Sequence, residues 1–178
     1  MDSGTQRFGV RWSRLVWVVT IAVTALVVIV TAVILRAAIH ARAGDSAVWL
    51  LLVVEAFLPI IILVALALFA PRAYEVNPDA IVVKRLGPDV VVPRDEIQEV
   101  QRLEGVKIGF TLRLFGCGGF LGWFGLFYSR GLGEFWAYAG NQKDLVLLTR
   151  TDGRKIVLSP SPPEAFIAAA QETGESQS

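Results

Sequence analysis

Two long apolar segments constrain this chain more than any other feature of its sequence. The first, Leu15–Leu35, has no charged residue, and its 21 residues would form a helix of roughly 31 Å, about the thickness of a bilayer's hydrocarbon core. The second, Ala47–Ala70, contains one charged residue, Glu55. We therefore expect two transmembrane helices at residues 15–35 and 47–70, joined by the polar connection 36–46 into a helical hairpin.

The overall composition agrees with membrane segments. The mean hydropathy of +0.55 is higher than that of an ordinary soluble domain. The sequence Ala41-Arg42-Ala43 has the small-x-small spacing of a signal-peptide cleavage site. However, the first apolar segment is longer than the core of about 7–15 apolar residues in a signal peptide, so we expect an uncleaved helix.

Basic residues near the helix ends predict the orientation of the hairpin. Three precede the first helix, two lie in the connection and three follow the second helix: Arg7, Arg11 and Arg14; Arg36 and Arg42; Arg72, Lys84 and Arg85. Because Lys and Arg concentrate on the cytoplasmic side, we expect both termini, including the N-terminal segment 1–14, in the cytoplasm.

Charge and residue usage in the second half exclude several kinds of partner. Residues 71–178 carry 12 Lys and Arg against 13 Asp and Glu, so we expect no nucleic acid partner. The single cysteine, Cys117, excludes an intrachain disulfide and a cysteine cluster for metal. The single histidine, His40, lies in the connection, so we expect no zinc site.

After Pro71 the pattern becomes one of short strands separated by turns. Asn77-Pro78-Asp79 and Gly87-Pro88-Asp89 have typical turn composition, and Asp152-Gly153 favours a tight hairpin. The predicted strands are Tyr74–Val76, Ala80–Leu86, Val90–Pro93, Ile97–Leu103, Glu134–Ala139, Asp144–Thr151 and Arg154–Leu158.

The chain then changes to a helical pattern. Ser161-Pro162-Pro163-Glu164 predicts a helix start, with serine as N-cap, proline at the first position and glutamate closing a capping box. Ala165, Phe166, Ala169 and Ala170 supply an apolar stripe at helical spacing. We therefore expect an α+β, mainly β domain over residues 72–171, capped by one helix and followed by a disordered tail at 172–178.

Several stretches together resemble a known family. "YEVNPDAIVVKR", "VPRDEIQEV", "RLFGCGGFLGWFG", "YAGNQKDLVLL" and "DGRKIVLSPSPPEAFIAA" are similar to the bacterial pleckstrin-homology-like (bacterial PH) domain family, in particular to its membrane-anchored members of unassigned function. The resemblance covers about residues 72–170. It implies a strongly bent antiparallel sheet of about seven strands capped by a C-terminal helix, and it implies no catalysis and no cofactor.

The resemblance also bears on lipid binding. Some eukaryotic relatives bind phosphoinositide headgroups through basic residues in the loop between their first two strands. The corresponding Asn77-Pro78-Asp79-Ala80 has no basic residue, which argues against headgroup recognition there. Lys84 and Arg85 on the next strand are candidate contacts to anionic lipid, at about 1 kcal/mol each near the surface. Alternatively, they are solvated charges that discourage aggregation at a sheet edge.

A glycine- and aromatic-rich insertion at residues 105–132 is the least typical part of the chain. Its Gly-x-Gly has Leu121 where the third glycine of a dinucleotide-binding loop belongs, and no helix pattern follows, so we expect no nucleotide. The uncharged run Leu114–Tyr128 is 15 residues long, shorter than the roughly 20 of a membrane helix. Its five glycines would also destabilise a helix.

Two interpretations of the insertion stay open. It is either a loop folded back over the sheet with its aromatic side chains packed inward, or a loop with a packed base and an exposed apolar tip that contacts lipid, the helical hairpin or a protein partner. The candidate contact residues are Phe120, Leu121, Trp123, Phe124 and Phe127.

The second apolar segment contains a candidate polar site. A charged group in a membrane helix costs about 2.5–3.5 kcal/mol, and Pro59 cannot donate to the carbonyl of Glu55. Glu55 is either hydrogen-bonded to Thr24 or Thr31 of the first helix, which would hold the hairpin together, or it forms a site for a coupling ion or proton.

The leading functional interpretation is a multi-pass protein of a bacterial plasma (inner) membrane whose PH-like module binds lipid, a protein partner or itself. It predicts no enzyme, because the chain has no paired nucleophile and base. The alternative is a small accessory subunit of a membrane transport or signalling complex, with its function in the helical hairpin around Glu55.

Overall fold

The computed structural model describes residues 4–40, 46–103, 111–119 and 121–175, which form three α-helices and eleven strands. In chain order these are β1 (Gln6–Val10), α1 (Arg14–His40), α2 (Ser46–Phe69), β2 (Ala73–Val76), β3 (Ala80–Lys84), β4 (Val90–Pro93), β5 (Ile97–Leu103), β6 (Thr111–Gly118), β7 (Trp123–Ser129), β8 (Gly133–Ala139), β9 (Leu145–Arg150), β10 (Lys155–Leu158), β11 (Pro160–Ser161) and α3 (Pro163–Glu175). A short 3₁₀ turn, Arg94–Glu96, precedes β5.

Helices α1 and α2 are long and apolar enough to cross a membrane. The qualifying segments are Arg14–Ala37 and Leu52–Phe69. In the 18-residue apolar stretch of each segment, the share of residues buried within the protein is 0% for the first and 6% for the second. The core helix of a soluble protein would be mostly covered by the rest of its fold, whereas these helices direct their apolar side chains outward. The predicted connection is shorter in the structure, because α1 continues to His40 and α2 begins at Ser46.

The strands form two sheets. One has the order β11-β1-β2-β3-β4 and the other β5-β9-β10-β8-β7-β6. Every neighbouring pair is antiparallel except β8 and β10, which run parallel. The predicted combination of a helical hairpin, a bent β-structure and a capping helix is therefore confirmed, although the domain has more strands than the expected seven and divides them between two sheets.

The N-terminal segment is part of the domain. Residues 1–14 were expected to form only a cytoplasmic extension, but β1 pairs with β2 on one side and with β11 on the other. Phe8 of β1 is buried and packs edge-on against Phe166 of α3, with ring centroids 5.3 Å apart. The chain therefore leaves the first sheet after β1, forms the whole helical hairpin and returns to the same sheet as β2.

Tyr74 lies at the centre of the core between the sheets. Its side chain is completely buried, and its hydroxyl donates to the Tyr138 carbonyl at 2.5 Å and accepts from the Ser159 N–H at 3.1 Å. Burial raises the pKa of Tyr74 to about 12, although its hydrogen bonding with Ser159 acts in the opposite direction. This hydroxyl joins β2 to both β8 and the segment between β10 and β11.

Helix α3 closes the core with its apolar stripe. Phe166 is fully buried, and Ala169 and Ala170 are nearly so. The Arg94 guanidinium donates to the carbonyls of Ala169 and Ala170, which lie in the middle of the helix. Near the start of the helix, Glu164 contacts the Arg102 guanidinium of β5, so its carboxylate binds across to the sheet. The predicted role of Ser161 as N-cap was wrong, because Ser161 belongs to β11 and the helix begins at Pro163.

Candidate functional site

The glycine- and aromatic-rich stretch forms a β-hairpin rather than the predicted loop. We call β6, β7 and the turn between them the aromatic hairpin, residues 111–129, of which the structure describes all but Phe120. A Cβ added at Gly116 would lie 2.2 Å from the Phe124 carbonyl oxygen, and one at Gly125 would lie 2.3 Å from that of Phe115. Only glycines allow the two strands to approach this closely. The glycines that led to the prediction of a loop are therefore the residues that permit the strand pair.

The turn of the aromatic hairpin lies against the first membrane-length helix. The backbone N–H of Leu121 donates to the Thr20 hydroxyl of α1 at 3.1 Å. Thr20 lies six residues beyond Arg14, about 9 Å along the helix axis. The turn therefore lies beside the apolar part of α1 and not at its polar start.

Two further backbone contacts hold the domain against the hairpin. The N–H of Ser13, which precedes α1, donates to the Gly140 carbonyl at 3.2 Å. The N–H of Gly87, in the turn after β3, donates to the Leu68 carbonyl of α2 at 2.8 Å. Contacts on both helices therefore fix the position of the domain relative to the membrane-length segments.

The structure separates the predicted contact residues into two groups. Phe124 and Phe127 are buried, with 5% and 1% of their surface exposed, so their prediction as exposed contacts was wrong. Both faces of β7 are covered: Phe124 belongs to the core between the sheets, whereas Phe127 stacks on Phe135 at the opposite face. Leu121 and Trp123 are partly exposed, and Phe120 lies outside the described residues.

The exposed apolar surface lies on other residues of the same strands. Large apolar side chains of β6, β7 and β8 with substantial exposure are Leu112, Leu114, Phe115, Tyr128 and Trp136. Phe115 is the most exposed of them, at 74%. These positions were missed because the stretch was interpreted as a loop. Strand alternation after Thr111 points to Leu112 and Leu114, but a register shift between Arg113 and Phe115 takes Phe115 out of that alternation.

A cavity of about 650 Å³ lies where this surface meets α2. We call it the junction cavity. Ile62, Ala65, Leu66 and Phe69 line its helical side, and Phe115, Phe124, Trp136 and Tyr138 line its sheet side. Among the described residues that line it, Arg85 is the one with a charge. Its volume is within the range of small-molecule binding sites, about 300–1,000 Å³.

The two predicted basic contacts differ in their surroundings. Lys84 lies 2.8 Å from a carboxylate oxygen of Asp89 and 3.5 Å from one of Glu75. The hydrogen bond to Asp89, with the charge of Glu75, raises the pKa of Lys84, and the same hydrogen bond lowers that of Asp89. Lys84 is therefore an ion-paired residue of the first sheet, with little attraction left for a ligand.

Arg85 has no carboxylate within ion-pair distance in the described part of the chain. Its carbon Cζ lies 5.5 Å from the ring centroid of Phe69 and 5.8 Å from that of Tyr138, so the guanidinium is positioned by two aromatic rings. Its Nε donates to the Pro88 carbonyl at 2.7 Å. Burial raises the pKa of Tyr138, an effect that the charge of Arg85 partly offsets.

The predicted polar site on α2 has a different geometry from the one expected. The Thr31 hydroxyl donates to the carbonyl of Ala56, at 3.3 Å, and not to Glu55. Ala56 is fully buried where the helices meet, whereas Glu55 and Thr24 are exposed. The predicted bond from Glu55 to Thr24 or Thr31 is therefore wrong, because Glu55 points away from α1. Pro59 lies within α2, which continues through it.

The described residues provide geometry for binding an apolar or amphiphilic molecule. They contain no group of three His, Cys, Asp or Glu side chains that could hold a metal ion. Cys117 is buried. The arrangement that does stand out combines a large cavity, mostly apolar walls and one arginine without a carboxylate partner.

Comparison with known proteins agrees with this architecture. The family model described as "Bacterial PH domain" matches residues 72–173, more than half of the chain. Searches of curated proteins and of solved structures found no match. PH domains are generally interaction modules that bind lipids or proteins. The match covers every strand except β1 and most of the capping helix α3, and the chain therefore belongs to the bacterial PH domain family.

Proposed function

We propose that this chain is a membrane-anchored interaction module that holds its PH domain against the cytoplasmic face of a bacterial plasma membrane. There it binds the lipid surface, a protein partner or a second copy of itself, and it catalyses no reaction. A tethered domain needs only weak contacts, because anchoring raises the effective concentration of its ligands.

The insertion of the helical hairpin between β1 and β2 is the observation that supports this proposal most directly. Both ends of the hairpin connect to neighbouring strands of one sheet. Two membrane-length helices that leave and re-enter a domain through neighbouring strands would hold that domain at the membrane surface, which supports the proposal. The bond from Leu121 to Thr20 brings the aromatic hairpin to the same surface.

The contact surface that we propose differs from the one inferred from the sequence. Phe115 and Trp136 form its exposed part, and the partly exposed Leu121, whose N–H bonds to Thr20, forms the edge nearest α1. Trp123 packs on the other face of β7, against the cluster of Phe127 and Phe135, and is not part of this surface. Tryptophan favours the headgroup region of a bilayer, where its ring is apolar and its N–H is solvated. The buried Phe124 and Phe127 support the strands from inside.

Anchoring and orientation are tested on the full chain. Membranes are washed with high salt and with carbonate, and a reporter is fused after Ser178. We expect the chain to leave the membrane only with detergent and the reporter to be active in the cytosol. Release by salt alone, or a reporter active outside the cytosol, contradicts the proposal.

Binding is tested by cross-linking in native membranes followed by mass spectrometry. Wild type is compared with Phe115→Ser and with Val91→Ser, a matched control that removes an exposed apolar side chain of β4 outside the junction cavity. We expect Phe115→Ser to lose cross-links that Val91→Ser keeps. Identical cross-links in all three proteins would show that the aromatic hairpin is not the contact surface.

Glu55 supports a second candidate function, that of an accessory subunit in a larger membrane complex. Its side chain is exposed on α2, within the segment Leu52–Phe69 that is long enough to span a bilayer. An outward-facing carboxylate at that position is costly in lipid and is stabilised by a polar group on another protein helix. If Glu55→Gln leaves membrane insertion unchanged but releases a co-purifying protein, this candidate gains support; if co-purification does not change, it loses it.

A further inference from the structure

We propose that the junction cavity is the binding site for one anionic phospholipid from the surrounding bilayer, with an acyl chain in the cavity and the phosphate at Arg85. This inference rests on the proposed membrane anchoring and adds to it a specific ligand class and a site. It differs from general attraction of the domain to a charged surface, because one cavity and one arginine define the position.

The walls of the cavity suit a hydrocarbon chain. Ile62 and Phe69 of α2 form one side, and Phe115 and Trp136 form the other. Both helix residues are about half exposed, at 49% and 46%, and belong to the membrane-length segment of α2, so the apolar lining is continuous with the apolar surface of that helix. An acyl chain can therefore enter from the bilayer without crossing water.

The cavity has a charged end and an apolar end, arranged in the same order as the headgroup and acyl chains of a phospholipid in a bilayer. Phe69 is the last residue of the apolar segment, and the Arg85 guanidinium lies over its ring. Ile62 is seven residues earlier, about 10 Å deeper along the helix. The charged end of the cavity therefore lies at the depth of the headgroups, and the apolar end lies at the depth of the acyl chains.

The charge at the cavity selects an anion. The Arg85 guanidinium has no ion-pair partner among the described residues, although the Asp89 carboxylate, which is paired with Lys84, accepts from the Arg85 backbone N–H at 3.2 Å. The Arg85 donors to the Pro88 carbonyl are Nε and Nη2, so in the described part of the chain Nη1 is left for a phosphate oxygen. A guanidinium held by two aromatic rings loses little conformational freedom when it binds, and its planar donors match a phosphate.

Two pairs of variants test this site in the full chain. Arg85→Gln removes the charge at the cavity, and Lys84→Gln removes the adjacent charge outside it. Ala65→Trp fills the cavity from α2, and Ala25→Trp places the same ring on an exposed position of α1 away from it. Arg85→Lys keeps the positive charge and shows whether an effect of Arg85→Gln reflects charge or packing.

Each protein is reconstituted into nanodiscs with equal amounts of phosphatidylglycerol and phosphatidylcholine, extracted in mild detergent and examined by native mass spectrometry. We expect wild type to retain one phosphatidylglycerol in preference to phosphatidylcholine. Arg85→Gln should lower that preference about tenfold, which corresponds to about 1.4 kcal/mol, whereas Lys84→Gln and Arg85→Lys should change it less than threefold. Ala65→Trp should lose both lipids, and Ala25→Trp should retain them.

Three results would overturn the inference. Equal losses in Arg85→Gln and Lys84→Gln would indicate attraction to the surface charge alone. Retention of lipid by Ala65→Trp would place the lipid elsewhere. Cross-links from the cavity to a second copy of the chain or to another protein, without retained lipid, would assign the cavity to a protein partner. If the chain inserts into nanodiscs and retains no lipid, only this inference fails, whereas failure to insert would refute the proposed anchoring.

Discussion

Replacing Tyr74 with phenylalanine removes one hydroxyl and leaves two buried backbone groups without their partner. The Tyr138 carbonyl loses a donor at 2.5 Å, and the Ser159 N–H loses an acceptor at 3.1 Å. An unsatisfied buried polar group costs about 1–3 kcal/mol, so we expect the free energy of unfolding to fall by about 2–4 kcal/mol. For a protein of this size that corresponds to roughly 4–16 °C in Tm.

The same hydroxyl predicts a pH dependence with a defined sign. The pKa of Tyr74 is about 12 in the folded protein and 10.0 as its ordinary value. Between these values the unfolded chain releases the proton more readily than the folded one, so the stabilisation is complete below pH 10 and is lost as pH rises towards 12. This difference of about two pKa units corresponds to a loss of at most about 3 kcal/mol in the free energy of unfolding.

Thermal unfolding of the full chain in detergent, followed by near-UV circular dichroism from pH 8 to 11, measures both effects. Wild type and Tyr74→Phe are compared with Tyr128→Phe, which changes an exposed tyrosine. We expect Tyr74→Phe to unfold at a lower temperature at pH 8 and to lose part of the steep decline of wild type above pH 10. An unchanged unfolding temperature, or an unchanged decline, would refute the hydrogen-bonding role of Tyr74.

Three further substitutions test the contacts around the aromatic hairpin and the capping helix. Gly125→Ala places a Cβ 2.3 Å from the Phe115 carbonyl oxygen, so we expect urea unfolding to show a loss of more than about 2 kcal/mol of stability. The control is Gly133→Ala, whose Cβ would have no atom within 4 Å. It should cost only about 1–2 kcal/mol, because alanine is strained at the positive φ of Gly133. Thr20→Val removes the acceptor of the Leu121 N–H and should accelerate hydrogen exchange at that amide with little change in global stability. Arg94→Ala removes donors to the Ala169 and Ala170 carbonyls in the middle of α3 and should accelerate hydrogen exchange in that helix, with a loss of about 1–3 kcal/mol of stability. Equal exchange in wild type and variant would contradict the role of Thr20 or of Arg94.

The helical hairpin and the C-terminal half of the domain were predictable because their signals are local. An uncharged run of 21 residues such as Leu15–Leu35 predicts a long apolar helix from its own composition. Likewise, Asp152-Gly153 between two apolar strands specifies the hairpin of β9 and β10, in which Leu148 lies opposite Ile156. Each of these inferences needs only neighbouring residues.

The aromatic hairpin could not be predicted in the same way. Glycine weakens an isolated strand, so the density of glycines between Leu114 and Tyr128 indicated a loop. Gly116 and Gly125 are required because each lies against the carbonyl of a neighbouring strand and has a positive φ. That reason becomes visible when the two strands are placed side by side, which the order of residues does not reveal. Because of this error, Phe124 was predicted to be an exposed contact residue, whereas the exposed residue is Phe115.

The site at Arg85 was predicted in part for a similar reason. Lys84 and Arg85 are adjacent and look equivalent in the sequence, so both were candidates for lipid contact. Alternation along a strand directs neighbouring side chains to opposite faces. One side chain meets the carboxylates of Glu75 and Asp89, and the other meets the rings of Phe69 and Tyr138. Their difference arises from residues that are distant in the chain.

The position of β1 determines how the anchor and the domain are related. The family match begins at residue 72, which suggests a domain simply attached after two helices. However, β1 supplies the strand between β2 and β11, and Phe8 contributes to the core against Phe166. Burial of such a side chain contributes about 1.5–3 kcal/mol, a large share of the stability of a small domain. A fragment that starts after α2 would therefore expose the edge of β2 and part of the core. The folding unit includes β1, and because the hairpin is inserted within that unit, both ends of the hairpin are fixed to neighbouring strands of the first sheet.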